Sequence, residues 1–328
     1  MTTTRAGTRR TRPTPAVILT LALLLVAVLC LGAVFVAKSV GGNSGSSFSG
    51  QSLYTDPDSP AARAIAAEPP EATDFARLAA TPTGIWLTPE KHPTATIENY
   101  VSGITTRAAA ASAVPTFVVY GIPDRDCGAQ SAGGLTAAEY PTWVAAIAAG
   151  VRGDDSIVIL EPDSLALSAS CGQQDARIAQ VRAAAKQFDG TGARVYLDGG
   201  HSDWLSASDM AGLLRRADVG SVRGFATNVS NYNASSRERK YANEVSRLAG
   251  GAHYVVDVSR NGAGSTGEWC NPSGRRLGTA PSLDRSGGAH DADLWIKPPG
   301  ESDGTCNGGP TAGDWWDHSA LELLGDDG

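Results

Sequence analysis

Two aspartates that directly follow short apolar runs have the residue type and spacing expected for acid–base chemistry. Asp126 lies in GIPDRDC, after the run TFVVY at residues 116–120, and Asp163 lies in EPDSL, after SIVIL at residues 156–160. Parallel α/β barrels build their active sites from side chains just beyond the carboxyl ends of buried strands. Two such carboxylates on neighbouring strand ends therefore indicate acid–base catalysis.

Asp163 is a candidate general acid. Partial burial and the nearby acids Glu161 and Asp126 are expected to raise its pKa, which would keep the group protonated near neutrality. The structural alternative is a helix cap, because Asp is a favoured N-cap residue. For Asp126 the alternative is a surface ion pair with Arg125, whereas a disulfide at Cys127 would hold its loop in place for function.

Two later segments add polar side chains at strand ends. LDGGHSDW places Asp198 before His201, with two glycines that permit close approach of a ligand to the backbone. KPPGESDGTC contains Lys297, Glu301 and Asp303. The alternating acids could hold Ca²⁺, which takes oxygen ligands, although Lys297 and the loop prolines do not favour such a site.

Aromatic rings are candidates for stacking on the apolar faces of sugar rings. The chain has seven tryptophans, and Trp86, Trp204 and Trp269 lie at strand ends or in Gly-rich loops. We predict that these three contact a sugar. Trp143 on a helix and Trp295 within a strand are predicted to belong to the core.

The alternation of strands and helices predicts an α/β fold. Strands are predicted at residues 83–87, 116–120, 156–160, 194–197, 223–226, 253–256 and 292–296. Helices are predicted between them, with clear examples at residues 96–113, 137–149, 174–188, 207–217 and 236–248. This alternation indicates βαβ units and a parallel sheet.

Two parallel architectures fit this alternation. An open doubly wound sheet needs functional strand ends only near its switch point, whereas all seven predicted strands end in polar or aromatic residues. No G-x-G-x-x-G follows the first strand, which argues against a Rossmann fold. We therefore predict a distorted parallel β/α barrel of about seven strands, similar to a TIM barrel.

The N-terminal region differs in composition from the rest of the chain. Residues 1–15 form a basic tail, and residues 16–37 are an apolar run of 22 residues, long enough to span roughly 30 Å of bilayer. A cleaved signal peptide usually has an apolar stretch of about 7–15 residues, so a transmembrane signal anchor with a cytoplasmic tail is favoured. Residues 38–52 are predicted to be a Gly/Ser linker, and residues 53–328 one barrel domain.

Charge limits the partners of the exported part. The net charge is −7, and the first 40 residues carry five cations and no acid, so the remaining residues sum to −12. A strongly acidic domain is a poor partner for nucleic acid or anionic lipid. A neutral substrate fits better, and contact with the membrane is expected through the N-terminal helix.

Four cysteines lie in the exported part, where disulfides persist: Cys127, Cys171, Cys270 and Cys306. Four cysteines allow three pairings. We predict Cys127–Cys171 and Cys270–Cys306, since these close two loops that do not interlock. A metal site is the alternative, but no C-x-x-C or histidine cluster indicates one, and no cofactor is predicted.

Seven ordered segments resemble glycoside hydrolase family 6, the cellulases that cut β-1,4-glucan with inversion. They are YGIPDRDC, LEPDSL, YLDGGHSDW, GFATNVSNYN, SRNGAG, EWCNPSGRRLG and LWIKPPGESDGTC. The likeness covers the chain from about Leu53 to its end. Seven motifs in this order are specific, whereas a single EPD or DRDC would not be.

The resemblance implies a role for each matched position. Asp163 would be the general acid and Asp126 would tune its pKa, while Asp303 matches the disputed general base, for which a chain of waters is the alternative. Tyr120 would favour a distorted sugar ring at the cleavage point. The residues that would bind substrate are Trp86, His201, Trp204, Asn231, Trp269, Lys297 and Glu301. Two further aspartates would be mainly structural, Asp198 and Asp257.

The resemblance implies a monomeric, membrane-tethered, extracytoplasmic endo-β-1,4-glucanase. The two cysteine-bounded loops are short, as in the endoglucanase branch, so an open cleft is expected rather than the tunnel of cellobiohydrolases. No cellulose-binding module is recognised, and soluble or amorphous β-glucan is the expected substrate. The alternatives are a non-catalytic glycan-binding envelope protein, exo action of the cellobiohydrolase type, and a hydrolase of another β-glucan. Cleavage of the N-terminal segment would make the protein secreted.

Overall fold

The computed structural model describes residue 2 and residues 50–67, 73–284 and 286–325. All elements below lie within the unit Ser46–Gly328. Apart from residue 2, the predicted basic tail and membrane segment fall outside the described residues, as does most of the predicted linker. Within the described residues, no helix is long and apolar enough to cross a membrane.

The described residues form ten strands. In chain order these are β1 (Ser52–Leu53), β2 (Ile85–Leu87), β3 (Ala113–Val114), β4 (Thr116–Val119), β5 (Ile157–Leu160), β6 (Arg194–Asp198), β7 (Gly224–Thr227), β8 (His253–Asp257), β9 (Ser282–Leu283) and β10 (His290–Leu294). The large sheet has the order β2-β4-β5-β6-β7-β8-β10-β9, and β1 pairs with β3 in a small sheet. The domain thus begins by Ser52, one residue before the predicted boundary.

The seven predicted strands correspond to the seven parallel strands of the large sheet, and β9 adds an antiparallel edge. The largest difference is at β10, which begins and ends two residues before the predicted strand. Its polar start lies outside the predicted strand. His290 and Asp291 can pair in a strand because Asp284 and Arg223 respectively contact their side chains.

Nine helices are present in the described part of the chain. They are α1 (Pro60–Ala66), α2 (Ala76–Ala79), α3 (Thr94–Ala110), α4 (Tyr140–Gly150), α5 (Ser164–Leu167), α6 (Gln174–Gln187), α7 (Ala207–Arg216), α8 (Ser235–Leu248) and α9 (Asp317–Leu324). The five predicted helices match α3, α4, α6, α7 and α8. Three short 3₁₀ turns occur at Asp126–Gly128, Val219–Ser221 and Cys306–Gly308.

Both faces of the sheet are buried, because alternate residues of each strand point to opposite sides. Along β5, Val158 and Leu160 belong to the large core that includes the helices, whereas Ile157 and Ile159 belong to a separate inner core. Strands with two apolar faces are typical of parallel sheets covered by helices. As predicted, Trp143 and Trp295 are buried; both belong to the larger core.

The sheet curls so that residues next to its first and last parallel strands meet. The Gly84 N–H, just before β2, donates to the Trp295 carbonyl oxygen just after β10 at 2.7 Å. A Cβ atom at Gly84 would lie 2.3 Å from the Ile296 carbonyl oxygen, so this approach requires glycine. The structure is therefore an α/β fold with a curled, mostly parallel sheet covered by helices.

Candidate active site

A cleft of about 1900 Å³ is lined by segments that follow the carboxyl ends of the parallel strands. All eleven residues predicted to bind or cleave substrate line this one cleft: Trp86, Tyr120, Asp126, Asp163, His201, Trp204, Asn231, Trp269, Lys297, Glu301 and Asp303. The curled parallel sheet brings them together because every parallel strand ends at the same side of the fold.

Asp163 follows β5 in a strained turn and lines the cleft. Glu161 and Asp163 both have positive φ angles, 53° and 67°, which are uncommon for residues other than glycine. Asp163 precedes α5, yet its side chain makes no capping hydrogen bond. Burial raises the pKa of Asp163 well above its usual range, and the negative charges of Asp198, Asp126 and Asp303 raise it further. The group is therefore suited to hold a proton near neutrality.

Asp198 ends β6 and is directly linked to Asp163. Its Oδ2 atom accepts hydrogen bonds from the backbone N–H groups of Asp163 at 2.9 Å and Gly200 at 3.0 Å. Its Oδ1 atom is buried and has no hydrogen-bond partner among the described residues. Burial raises the pKa of Asp198 to about 7. Asp198 thus affects the charge state of Asp163 as well as its position, in addition to the structural role expected.

Asp126 lies in the loop after β4 and does not form the alternative ion pair with Arg125 in the described structure. Arg125 is buried, pairs with Glu90 at 3.1 Å and donates to the Tyr120 carbonyl oxygen at 2.9 Å. Asp126 Oδ2 instead accepts from the Ser131 N–H at 2.8 Å. Burial raises the pKa of Asp126. Arg125 therefore shapes the loop, while the Asp126 carboxylate lines the cleft.

Tyr120 and Trp86 form an aromatic corner of the cleft. Their ring centroids are 5.3 Å apart in an edge-to-face arrangement, and the Arg125 guanidinium lies 4.9 Å from the Tyr120 ring. Burial, followed by the charges of Asp163 and Asp126, raises the pKa of Tyr120 well above its usual value. Tyr120 is therefore a neutral phenol beside two acids.

Lys297 and Glu301 continue the wall next to Trp86. The Lys297 ammonium lies 5.4 Å from the centre of the Trp86 ring and 3.3 Å from Glu301 Oε2. Trp86 Nε1 donates to the Ile296 carbonyl oxygen at 2.9 Å, which fixes the ring. The Lys297 ammonium thus occupies the position of a counter-charge to Glu301. No metal-binding cluster of His, Cys, Asp or Glu occurs in the part of the chain that the structure describes.

Asp303 occupies an ion-paired setting. Its Oδ1 atom lies 2.9 Å from Arg260 Nη2. Its Oδ2 atom accepts from Arg260 Nη1 at 3.1 Å, from the Tyr232 hydroxyl at 2.9 Å and from the Asn271 N–H at 3.1 Å. Both charged side chains are buried. Asp303 therefore supplies the counter-charge of a buried guanidinium.

The segment after β6 presents His201 and Trp204, whose rings lie 5.4 Å apart. The side chain that contacts His201 is Asn233, with 3.1 Å between Nδ2 and the histidine Nδ1. Asn231 lines the cleft, but its Nδ2 donates to the Val229 carbonyl oxygen at 3.0 Å. Trp269 is 52 % exposed, which leaves its ring available to a ligand.

Both predicted disulfides are confirmed, Cys127–Cys171 and Cys270–Cys306. The first joins the loop of Asp126 to the segment after α5, and the second joins two loops near Asp303. The loops after β4 and β10 also touch each other. Gln130 Oε1 accepts from the Thr305 N–H at 3.0 Å and from its hydroxyl at 3.3 Å.

Three buried charged residues support the site, and two of them were not predicted. Glu161 was expected to raise the pKa of Asp163, but the charges that do so are those of Asp198, Asp126 and Asp303. Glu161 accepts from the N–H groups of Gly121 and Ile122 and from the Tyr140 hydroxyl, and burial raises its pKa to about 7. The other two are Arg260 and Glu238, and both are buried. Glu161 directly follows an apolar strand, which is a local signal. Arg260 and Glu238 contact partners remote in sequence, and no local pattern indicates them.

The cleft lies at the carboxyl ends of a curled parallel sheet and is lined by carboxylates and aromatic rings. This arrangement places the chain among the α/β proteins whose functional sites lie at that position. Similarity to known proteins identifies the family. The sequence model of the glycosyl hydrolases family 6 matches residues 48–326, and the chain belongs to this family.

Two solved structures and one other relative illustrate the similarity. Endoglucanase A of Cellulomonas fimi is 44 % identical over 277 residues, which cover 83 % of this chain and 60 % of that protein. The endoglucanase Cel6 of Mycobacterium tuberculosis, solved with methyl-cellobiosyl-4-deoxy-4-thio-β-D-cellobioside, is 41 % identical with a TM-score of 0.81, covering 86 % of this chain and 99 % of the other. The catalytic core of the cellobiohydrolase Cel6A of Chaetomium thermophilum is 27 % identical with a TM-score of 0.73, covering 86 % and 98 %. The chain thus spans about three fifths of the length of the Cellulomonas relative.

Proposed function

We propose that this protein hydrolyses internal β-1,4-glucosidic bonds of a soluble or amorphous β-glucan with inversion at the anomeric carbon. The observation that carries the proposal is the placement of Asp163. Asp163 lines the same cleft as the ion-paired Asp303 and several aromatic rings, and its pKa is raised. Relatives named endoglucanase at more than 40 % identity support the same activity.

In this proposal Asp163 is the general acid that gives its proton to the glycosidic oxygen as the bond breaks. A water attacks the anomeric carbon from the opposite face, which inverts the configuration. Asp126 and Asp198 help to keep Asp163 protonated, because their negative charges raise its pKa. Tyr120, held between Trp86 and Arg125, presses on the sugar ring and favours a distorted conformation.

Asp303 is proposed to assist the attacking water from a distance. Three hydrogen-bond donors meet at Oδ2, and Oδ1 faces Arg260. Each carboxylate oxygen has about two acceptor sites, and Oδ1 has Arg260 as its partner, so a second site on Oδ1 is proposed to accept from a water. This arrangement supports a water chain that ends at Asp303 rather than direct removal of the proton by an unpaired carboxylate.

The remaining cleft residues are proposed to bind successive sugar units. Trp86, Trp204 and Trp269 would stack on apolar ring faces, since each offers an aromatic surface along the cleft. The polar residues proposed to bind hydroxyl groups are His201, Asn231, Lys297 and Glu301. No cofactor is proposed for this reaction.

Endo action is favoured because Trp269 is half exposed and the cysteine-bounded loops are short. One contact favours a second candidate, exo action of the cellobiohydrolase type. Gln130 and Thr305 bridge the loops after β4 and β10, and a bridge above the substrate would hinder entry of a chain from the side. The ratio of viscosity loss to new reducing ends on carboxymethylcellulose separates the two modes.

We further propose that the domain acts outside the cytoplasm as a monomeric, distorted β/α barrel tethered by residues 16–37. The two disulfides support an oxidising compartment, and the apolar run is long enough to span a bilayer. The full chain is expected to sediment with membranes, and a variant that begins at residue 46 is expected to stay in the supernatant. Equal distribution of the two proteins would contradict the tether.

Substitution of Asp163 by Ala tests the proposed activity. We expect a loss of about 10²–10⁴-fold on cellotetraose, the range for removal of a general acid. The loss should be much smaller on an aryl glycoside whose leaving group needs no protonation. Proton NMR of a wild-type digest should show the α-anomer first. Wild-type rates in the variant, early β-anomer, or binding of cellotetraose without turnover would each contradict the proposal.

A further inference from the structure

Glu238 is a fully buried carboxylate near the start of α8, behind the segment that holds His201. Its Oε1 atom accepts from the Ser202 N–H and from Asn233 Nδ2, each at 3.0 Å. Its Oε2 atom accepts from the Thr227 hydroxyl at 2.6 Å. These three donors are neutral. The side chain does not line the cleft, so any effect on a ligand must act through another residue.

The contact with Glu238 determines which way the Asn233 amide points. Glu238 Oε1 accepts from the Ser202 N–H, so it is an acceptor toward Asn233 as well, and the atom of Asn233 that faces it is the NH₂ group. The same Nδ2 atom lies 3.1 Å from His201 Nδ1. The amide nitrogen of Asn233 therefore donates one hydrogen to Glu238. The other is directed toward the histidine, which is nearer than the alternative acceptor, Ser202 Oγ at 3.4 Å.

His201 must consequently accept at Nδ1. A second donor, the Asp203 N–H, points at the same nitrogen from 3.3 Å. A neutral imidazole that accepts at one nitrogen carries its proton on the other. Burial lowers the pKa of His201, which favours the neutral ring near neutrality. The proton of His201 is therefore placed on Nε2, on a ring that lines the cleft beside Trp204.

We propose that Glu238 is a positioning residue that acts through Asn233 to hold His201 as the Nε2–H tautomer. The cleft thus presents an N–H donor next to Trp204, which suits an oxygen acceptor of a sugar, a hydroxyl or an ether. The identity of the ligand rests on the proposed function, whereas the tautomer does not.

Glu238→Met and Glu238→Gln separate this role from general support of the fold. Methionine fills a similar volume but accepts no hydrogen bond from Asn233, so the amide can turn and the tautomer preference is lost. Glutamine keeps an oxygen for Ser202 and Asn233. Its NH₂ group would face the Thr227 hydroxyl. That hydroxyl also lies 3.1 Å from the Gly200 carbonyl oxygen, so it can donate its hydrogen to Gly200 instead. The glutamine variant is therefore expected to behave like wild type.

The primary measurement is ¹⁵N NMR of the histidine rings in the full chain without ligand. The chain has five histidines, so comparison with His201→Gln assigns the His201 signals. Wild type and Glu238→Gln should show a protonated Nε2 and an unprotonated Nδ1. Glu238→Met should show both tautomers. Thr227→Val removes one donor to Glu238 without breaking the Asn233 contact, so it should keep the wild-type pattern even if it lowers the melting temperature.

A protonated Nδ1 in wild type would overturn the tautomer. An unchanged His201 spectrum in a folded Glu238→Met protein would overturn the assignment of a positioning role to Glu238, because the Asp203 N–H would then hold the tautomer by itself. If the methionine variant does not fold, Asn233→Ala breaks the same link from the other end, because the remaining Asn233 hydrogen bonds to Asn228 and Asn261 use its backbone. An unchanged spectrum in that variant would equally contradict the assignment.

Steady-state kinetics test the consequence for the ligand. Loss of one donor should raise KM for cellotetraose about three- to tenfold in Glu238→Met, the effect of one hydrogen bond, with a smaller change in kcat. Glu238→Gln should restore the wild-type KM. A changed tautomer with an unchanged KM would overturn the role in sugar binding. A wild-type enzyme without activity on any β-glucan would contradict the proposed function and leave the NMR result standing.

Discussion

On one wall of the cleft Asp163 faces like charges, whereas on the other Asp303 faces a guanidinium. The Asp163 wall contains Asp126 and Asp198, whose charges add to burial and raise the pKa of Asp163. The Asp303 wall contains Arg260 and Tyr232, which bind both carboxylate oxygens. The same side-chain type thus lies among like charges on one wall and in a buried ion pair on the other.

The difference shows that the neighbours of a carboxylate decide its chemistry. Two groups whose surroundings favour opposite charge states are the arrangement that acid–base catalysis requires. On the Asp163 wall, burial and like charges raise the pKa of the carboxyl group. On the Asp303 wall, the carboxylate forms a buried ion pair. One substitution on each wall tests how much these neighbours matter.

The largest effect on stability is expected from Arg260→Met on the Asp303 wall. This change leaves Asp303 buried without a counter-charge, which costs about 3–5 kcal/mol of the free energy of unfolding. Urea denaturation measures the loss. Arg247→Met is the matched control, since Arg247 pairs with Glu244 at the surface and should shift the midpoint little. Equal small shifts in both variants would show that the Asp303 wall does not depend on its ion pair.

A smaller effect, on pH dependence, is expected from Asp198→Asn on the Asp163 wall. Without the negative charge of Asp198, the pKa of Asp163 falls, so the proton is lost at lower pH. The basic limb of the kcat/KM profile on cellotetraose should therefore move to lower pH. Asp126→Asn should move it in the same direction by less, because Asp198 has the larger influence on Asp163. A shift to higher pH would contradict the like-charge setting.

Asp198→Asn should also change how the free energy of unfolding depends on pH. The pKa of Asp198 is raised from 3.8 to about 7 in the folded state, so the folded protein binds a proton more tightly than the unfolded chain. Its contribution to stability is therefore present at low pH and is lost as the pH rises from about 4 to about 7. Asp198→Asn should make thermal stability less dependent on pH in this window. An unchanged slope would mean that Asp198 titrates normally.

The smallest effect is expected where the two loops meet above the walls, at Gln130. Its hydrogen bonds to Thr305 are exposed, so Gln130→Ala should cost less than about 1 kcal/mol of stability. Freer loops should increase viscosity loss per new reducing end on carboxymethylcellulose, with cellotetraose turnover unchanged. Gln173→Ala is the control, because Gln173 is a half-buried glutamine that contacts Asp124 and Arg177 on the Asp163 side. Identical behaviour of both variants would show that the bridge does not limit entry.

Much of the fold could be predicted because strand ends are local features of this sequence. Apolar runs such as residues 116–119 and 157–160 end at Tyr120 and Glu161, where polarity changes within one residue, and the parallel strands were found accordingly. The start of β10 was missed, since its polar side chains contact Arg223 and Asp284, which lie next to other strands. The cleft residues were predicted as a set, but their partners were not.

By itself, the sequence determined the α/β alternation, the positions of the carboxylates at strand ends and the cysteines that pair, because spacing and polarity along the chain encode these. Only the tertiary structure decided the charge setting of each carboxylate. Arg260 reaches Asp303 across 43 positions, and Asn233 reaches His201 across 32. Burial and the sign of a neighbouring charge depend on distance in space, and the curled sheet brings together residues that the chain keeps apart.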